Sequence, residues 1–224
     1  MAVDARRVVR RTAPLPSPAV PITAALFDFG GVILTSPFEA FARFERERGL
    51  PEGFLRNVNA IDPDTNSWAR LERSELDLDG FAEAFAKESE AQGHRVSGYE
   101  VLPLLAGDVR PEMLEAVRRC SERLATAMLT NNVVGMTLNP DMARITALFD
   151  TVVESSVVGV RKPDPHFYEI ACERLGIEPE EAVFLDDLGV NLKPAREMGM
   201  TTIKVEDPAV AIAELEQVVG FPLR

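Results

Sequence analysis

The chain has 224 residues, 46% of them hydrophobic, and a formal net charge of -12. That length suits one large domain, or a core domain with a smaller insert, and the apolar content is ordinary for a chain that buries a sizeable core. The acidic balance argues against nonspecific nucleic-acid binding and against an anionic membrane surface, and no run of about 18 apolar residues is present to span a bilayer.

Residues 1–21 contain Arg6, Arg7, Arg10 and Arg11, followed by Pro14, Pro16, Pro18 and Pro21. No apolar run follows the arginines, so the segment reads as a flexible, basic, proline-rich tail and not as a secretory leader. A cytoplasmic location is the resulting expectation. From Ile22 to Leu34 the sequence is almost entirely apolar and contains Asp28-Phe29-Gly30-Gly31. This pattern predicts a central parallel strand buried on both faces.

Residues 37–107 read as helical, with no convincing strand. Phe38, Phe41 and Phe44 share one face, Trp68, Leu71 and Leu76 form a second set, and Phe81, Ala84, Phe85 and Glu88 a third. The distance from Leu34 to Ala125 exceeds the roughly 30 residues of a single βαβ unit. A helical domain inserted after the first strand is therefore expected, with residues 22–36 and 108–224 forming the α/β core. The aromatics of the insert are expected to pack its interior. Glu72, Arg70 and Arg73 follow Trp68 on an expected helix and read as solvated surface charges, with a cleft-facing position as the alternative.

The remainder alternates. Ala125–Leu129, Thr151–Val153, Ala182–Leu185 and Thr201–Val205 read as strands, and Pro111–Leu124, Pro163–Leu175, Val190–Met198 and Pro208–Val219 as helices. Such alternation implies a doubly wound parallel sheet, in which ligands bind beyond the carboxyl ends of the strands. Cys120 and Cys172 fall in helical patterns and read as reduced cysteines without a disulfide framework or metal spacing. His94 and His166 stand apart from any ligand pattern.

Four clusters fall at strand ends. Asp28 is followed by two glycines, which let backbone approach a ligand at Gly30 and Gly31. Thr130 and Asn131 offer donors to phosphate oxygens. Lys162 precedes Pro163 at an expected helix start, where a cation opposes the helix dipole unless it faces an anion. Asp186 and Asp187 would repel each other unless a divalent cation sits between them, and an all-oxygen set suits Mg²⁺. Asn191 follows closely, as a group that orients this loop or touches substrate. Together these are the parts needed to move a phosphoryl group.

These residues, in this order, resemble the haloacid dehalogenase superfamily over nearly everything from Ile22 to Leu223. The stretch Val183–Glu206 is similar to the amino-terminal phosphatase domain of soluble epoxide hydrolases and to the corresponding domain of certain acyl-CoA dehydrogenases. The resemblance implies that Asp28 is a nucleophile forming an aspartyl-phosphate and that Thr130 and Asn131 hold phosphoryl oxygens. It further implies that Lys162 neutralises charge between nucleophile and substrate. Asp28, the Gly30 carbonyl and Asp187 would bind Mg²⁺, with Asp186 joining directly or from behind. The insert would be the family's mobile cap, and the substrate a small phosphorylated metabolite. One position departs from the pattern. Where the phosphatases usually carry an Asp that protonates the leaving oxygen, this chain has Gly30. A non-catalytic module that binds a phosphorylated ligand, and a 2-haloacid dehalogenase, are the alternatives.

Overall fold

A computed structural model describes residues 20–134 and 140–224. Of the tail expected over residues 1–21, all but Val20 and Pro21 lies outside the described residues. Five strands form one parallel sheet: β1 (Ala24–Phe27), β2 (Ala125–Thr130), β3 (Thr151–Glu154), β4 (Ala182–Asp186) and β5 (Thr201–Lys204), in the order β3-β2-β1-β4-β5. The helices are α1 (Phe38–Arg48), α2 (Phe54–Ala60), α3 (Ser67–Glu72), α4 (Leu78–Ala91), α5 (Gly98–Val101), α6 (Pro111–Ser121), α7 (Pro140–Thr146), α8 (Ser155–Val158), α9 (Pro165–Leu175), α10 (Gly189–Glu197) and α11 (Pro208–Val219).

Alternation along the strands explains why both faces are covered. Ala25 and Phe27 of β1, with Val183 and Leu185 of β4, pack toward Met113, Ala116 and Val117 of α6 and Ala211, Ile212 and Leu215 of α11. Ala24, Leu26 and Phe184 point the other way, onto Phe167 and Tyr168 of α9 and Leu192 and Ala195 of α10. Each fully buried Val, Leu, Ile, Phe or Met among them contributes about 1.5–3 kcal/mol relative to exposure, and each Ala less. Cys120 and Cys172 are buried in these two layers, and both thiols are free.

The helices between β1 and β2 have their own apolar interior. Phe41, Phe54, Trp68, Leu71, Phe81 and Phe85 form its centre, with Phe38, Phe44 and Leu76 partly buried against it. Trp68 stacks obliquely on Phe81, with centroids 4.7 Å apart. The insert is joined to the sheet by a pair of linkers. Thr35 N donates to Asp108 O, and Leu34 bridges Val109.

Expected elements differ from the structure at their ends, and the helix expected over Pro111–Leu124 stops at Ser121. The first strand is shorter than Ile22–Leu34: it ends at Phe27, and the chain turns tightly through Phe29–Ile33. Val32 and Ile33 are still fully buried in that turn, so hydropathy alone does not separate strand from turn. The helix expected from Pro163 begins at Pro165, because the Asp164 side chain caps it by accepting from His166 N at 2.9 Å.

Candidate active site

Parallel register brings the acids together. Phe27 pairs with Leu185, and Asp28 N donates to Leu185 O at 2.9 Å, so Asp28 and Asp186 lie level at the carboxyl ends of β1 and β4. Asp187 follows Asp186. Oxygens of Asp28, Asp186 and Asp187 lie within 4.8 Å of one another. Thr130 ends β2 on the other side of β1, and is buried.

Lys162 reaches this cluster from the loop before α9. Its Nζ is 2.8 Å from Asp28 Oδ1 and 2.7 Å from Asp186 Oδ2, and the side chain is 1% exposed. The ammonium therefore faces two carboxylates, and the true start of α9 lies three residues further on. The backbone around Lys162 is clamped: Asn131 Nδ2 donates to Lys162 O at 3.0 Å, and Lys162 N donates to Asn131 Oδ1 at 2.9 Å. The Asn131 carboxamide, expected against a phosphate, is thus engaged in holding the lysine.

Asn191, expected either to orient this loop or to touch substrate, sits behind Asp186. Its Nδ2 lies 3.0 Å from both Asp186 oxygens, and Leu188 N donates to Asp186 Oδ1 at 2.8 Å. Asn191 in turn accepts at its carbonyl from the buried Tyr168 hydroxyl at 2.7 Å. Both oxygens of Asp186 are therefore bonded within the protein. Asp28 Oδ1 is likewise committed, to Phe29 N at 2.6 Å and to Lys162, whereas Oδ2 carries neither of these bonds.

The two glycines have different duties. Gly31 lies at φ +78, and a Cβ there would fall 2.2 Å from Asp187 Oδ2. Only glycine leaves room for that carboxylate. A Cβ at Gly30 would meet nothing within 4 Å, so this position opens into space. Arg110, which sequence reasoning did not single out, donates from Nη1 to Gly31 O at 2.8 Å and lies near enough to Asp187 to favour its charge.

The electrostatics are unbalanced. Three acids surround one lysine. Burial pushes the Asp28 carboxyl well above the usual carboxylate range; Lys162 opposes this, while Asp186 and Asp187 reinforce it. Asp187 is pushed up to about 6, first by burial and then by Asp186. For Lys162, burial disfavours the charge, but Asp186 and Asp28 outweigh it and hold the group above its ordinary value. Such a set accommodates a divalent cation: the ligands are hard oxygens, they converge, and they carry uncompensated negative charge.

Glu72, expected on a solvated face, turns inward. Its carboxylate lies 2.6 Å from Arg161 Nε, and the two side chains are 17% and 21% exposed. Arg70 and Arg73, by contrast, pair with Glu75. His166 is exposed beside Glu169, and His94 packs edge-on against Phe54.

A family model for haloacid dehalogenase-like hydrolases matches residues 22–199. The acyl-CoA dehydrogenase family member 10 of Mus musculus is 36% identical over 207 residues, 89% of this chain and 19% of the relative. The bifunctional epoxide hydrolase 2 of Sus scrofa is 34% identical over 219 residues, 90% of this chain and 40% of the relative. The chain thus spans less than half the length of either. A sesquiterpene phosphatase of Aspergillus oryzae is 26% identical over 207 residues, 88% of this chain and 96% of the relative. Among solved structures, a HAD family enzyme of Bacteroides thetaiotaomicron, in complex with magnesium and inorganic phosphate, shares the fold with a TM-score of 0.59 at 20% identity, covering 83% of this chain and 96% of that one. With the family model spanning β1–β4 and every one of the four clusters, the chain belongs to the haloacid dehalogenase-like hydrolases.

Proposed function

We propose that this hydrolase is a Mg²⁺-dependent phosphatase of a small phosphorylated metabolite. One observation carries the reading: Lys162 bridges Asp28 and Asp186 at 2.8 and 2.7 Å, inside a carboxylate trio that one lysine cannot neutralise. A phosphatase relative that this chain covers almost end to end supports the reaction class.

Asp28 is the nucleophile, through Oδ2. That oxygen attacks phosphorus, and the bond from phosphorus to the leaving oxygen breaks. Water then attacks the aspartyl-phosphate, releasing inorganic phosphate and restoring the carboxylate. Thr130 and the backbone at Asn131 orient phosphoryl oxygens, while Lys162 keeps Asp28 ionised against burial and offsets charge on the substrate. Asp28, Asp187 and the Gly30 carbonyl would hold Mg²⁺, with Asp186 supporting from behind through its bonds to Lys162 and Asn191. The ion, when bound, supplies the positive charge that the site lacks. Gly31 admits the Asp187 carboxylate to this arrangement. Helices α1–α5 act as a cap, residues 37–107, that closes over the strand ends and excludes water.

No side chain at Gly30 can protonate the leaving group. Substrates whose leaving oxygen departs without a proton are therefore favoured. The test is hydrolysis of p-nitrophenyl phosphate by wild type and Asp28→Asn, with Mg²⁺ and with chelator. Metal-dependent turnover that vanishes in Asp28→Asn is expected. Turnover indifferent to chelator, or surviving in Asp28→Asn, would overturn the proposal.

A further inference from the structure

The segment that carries Lys162 is held from two sides. From the core, Asn131 clamps the Lys162 backbone on both its N–H and its carbonyl. From the cap, the end of α3 reaches across to the preceding residue. Glu72 lies 2.6 Å from Arg161 Nε, and Arg161 Nη1 donates to Pro63 O at 2.8 Å. Two residues after Glu72, Ser74 Oγ donates to Ser156 O at 2.7 Å. Val133, just beyond the Thr130 strand end, packs into the apolar interior of the cap helices. These contacts form a seam opposite in kind to the covalent linkers at Leu34 and Val109. The linkers are covalent, whereas the seam is held by noncovalent contacts alone.

The backbone along the seam is unusual. Among the described residues, the non-glycine residues with positive φ are Asp62 at 47° and Ser74 at 60°. Asp62 immediately precedes the Pro63 carbonyl that Arg161 grips, and Ser74 supplies the hydroxyl that bonds Ser156. Ser74 is the left-handed residue that ends α3: Ser74 N donates to Leu71 O at 3.0 Å and Glu75 N to Arg70 O at 2.8 Å. The Asp62 carbonyl accepts from Thr65 N and Asn66 N. These local bonds fix the two turns, which present the Pro63 carbonyl and the Ser74 hydroxyl to the core. The Glu72–Arg161 pair is shielded enough that removing one partner leaves the other uncompensated, unlike a pair in open solvent. Glu72 also feels the Lys162 charge, so the pair lies within electrostatic reach of the site.

We propose that Glu72 is a positioning residue: through Arg161 it couples seating of the cap to placement of the Lys162 ammonium between Asp28 and Asp186. The inference rests on the phosphatase reading for its catalytic half. With the cap unseated, Lys162 is held from the core alone, by Asn131 on its backbone and by Asp28 and Asp186 on its ammonium. With the cap seated, the adjacent side chain is pinned as well, and the ammonium is fixed where charge develops. Misplacing a catalytic group by about 1 Å costs about 10²-fold in rate.

The experiment compares wild type with Glu72→Gln, Arg161→Gln and the exchanged pair E72R/R161E. Hydrogen exchange of backbone amides over residues 62–74 and 155–162 reads the seam without any need for activity. Hydrolysis of p-nitrophenyl phosphate with Mg²⁺ reads the placement of Lys162. Both single variants are expected to exchange faster in both segments. They are also expected to lose about 10–100-fold in kcat, with KM changed much less. The exchanged pair should recover most of both losses. Unchanged exchange in the single variants, faster exchange with kcat intact, or an exchanged pair no better than either single variant would overturn the proposal. If wild type itself turns nothing over, the phosphatase reading has failed separately. The same variants are then titrated calorimetrically with inorganic phosphate in the presence of Mg²⁺: a loss of about tenfold in affinity supports the positioning role, and unchanged affinity overturns it.

Discussion

Replacing Asp187 by Asn should make the metal-free protein more stable and deaf to Mg²⁺. Burial and the neighbouring Asp186 hold the Asp187 carboxyl at about 6 in the folded chain, against about 3.9 for an unperturbed aspartate. An acid raised in this way favours the fold only while protonated. Its contribution is fully present below about pH 4 and is lost as pH rises through about 6. At neutral pH the ionised group therefore opposes folding by up to about 3 kcal/mol, and by about 1–2 kcal/mol once its partial exposure is allowed for. Asn removes the charge with almost no change of shape. In chelator at neutral pH, Asp187→Asn should melt roughly 2–8 °C above wild type, at about 2–4 °C per kcal/mol for a chain of this size. The gap should close as pH falls below about 4. Excess Mg²⁺ should raise the wild-type midpoint, because it binds the folded state alone, and should leave the variant unmoved. Differential scanning fluorimetry across pH, with and without Mg²⁺, measures all of this. A variant no more stable than wild type in chelator, or a gap independent of pH, would refute the electrostatic account of the site.

The two glycines should respond oppositely to a methyl group. Gly30→Ala, with open space around the new carbon, should change the melting midpoint by no more than about 2 °C. Gly31→Ala must move Asp187 and adopt a positive φ; it should lose about 1–3 kcal/mol and weaken the Mg²⁺-induced shift in the same fluorimetric assay. Asn191→Leu strips the amide from both Asp186 oxygens. Calorimetric titration should show Mg²⁺ affinity falling about 10–100-fold, as for other outer partners of a metal ligand.

Much of this site was legible because it is built from strand ends. Asp28, Thr130 and Asp186 each follow an unbroken apolar run, and parallel pairing then places them side by side with little further information. What the sequence did not reveal lies in side chains with several possible partners. Asn131 and Asn191 each carry a donor and an acceptor. Pattern reading assigned the Asn131 amide to phosphate and left Asn191 between orienting the acid loop and touching substrate; their partners are the Lys162 backbone and Asp186. Glu72 stands between Arg70 and Arg73 on a short helix, which looks like a solvated face, and its partner Arg161 is remote in sequence. Arg110 was detectable in principle. It is the residue before Pro111 at a helix start, where a cation opposes the dipole. That argument was applied to Lys162, whose helix in fact begins later. It fits Arg110 better, since Arg110 is the N-cap of α6 and faces Gly31 O and Asp187.

The glycine at position 30 has the sharpest consequence for substrate choice. A Cβ would meet nothing within 4 Å there, and the backbone, at φ -71 and ψ 130, suits any residue. Sterics therefore do not forbid an acid at this position. General acid help is typically worth about 10²–10⁴-fold, or about 3–5 kcal/mol of barrier. That help matters most for alkoxide leaving groups and least for phenolates that depart unprotonated. In wild type, log kcat/KM across a series of aryl and alkyl phosphates should fall steeply as the leaving group's pKa rises. Gly30→Asp should flatten the slope. It should raise alkyl phosphate hydrolysis by about 10²–10⁴-fold and leave p-nitrophenyl phosphate within a few-fold of wild type. The same slope in both proteins would mean that an acid from elsewhere already serves the leaving oxygen. Among the described core residues, the ionisable side chains at Asp28 are Lys162, already shared between two carboxylates, and the acids themselves, so helices α1–α5 would be the first place to seek it.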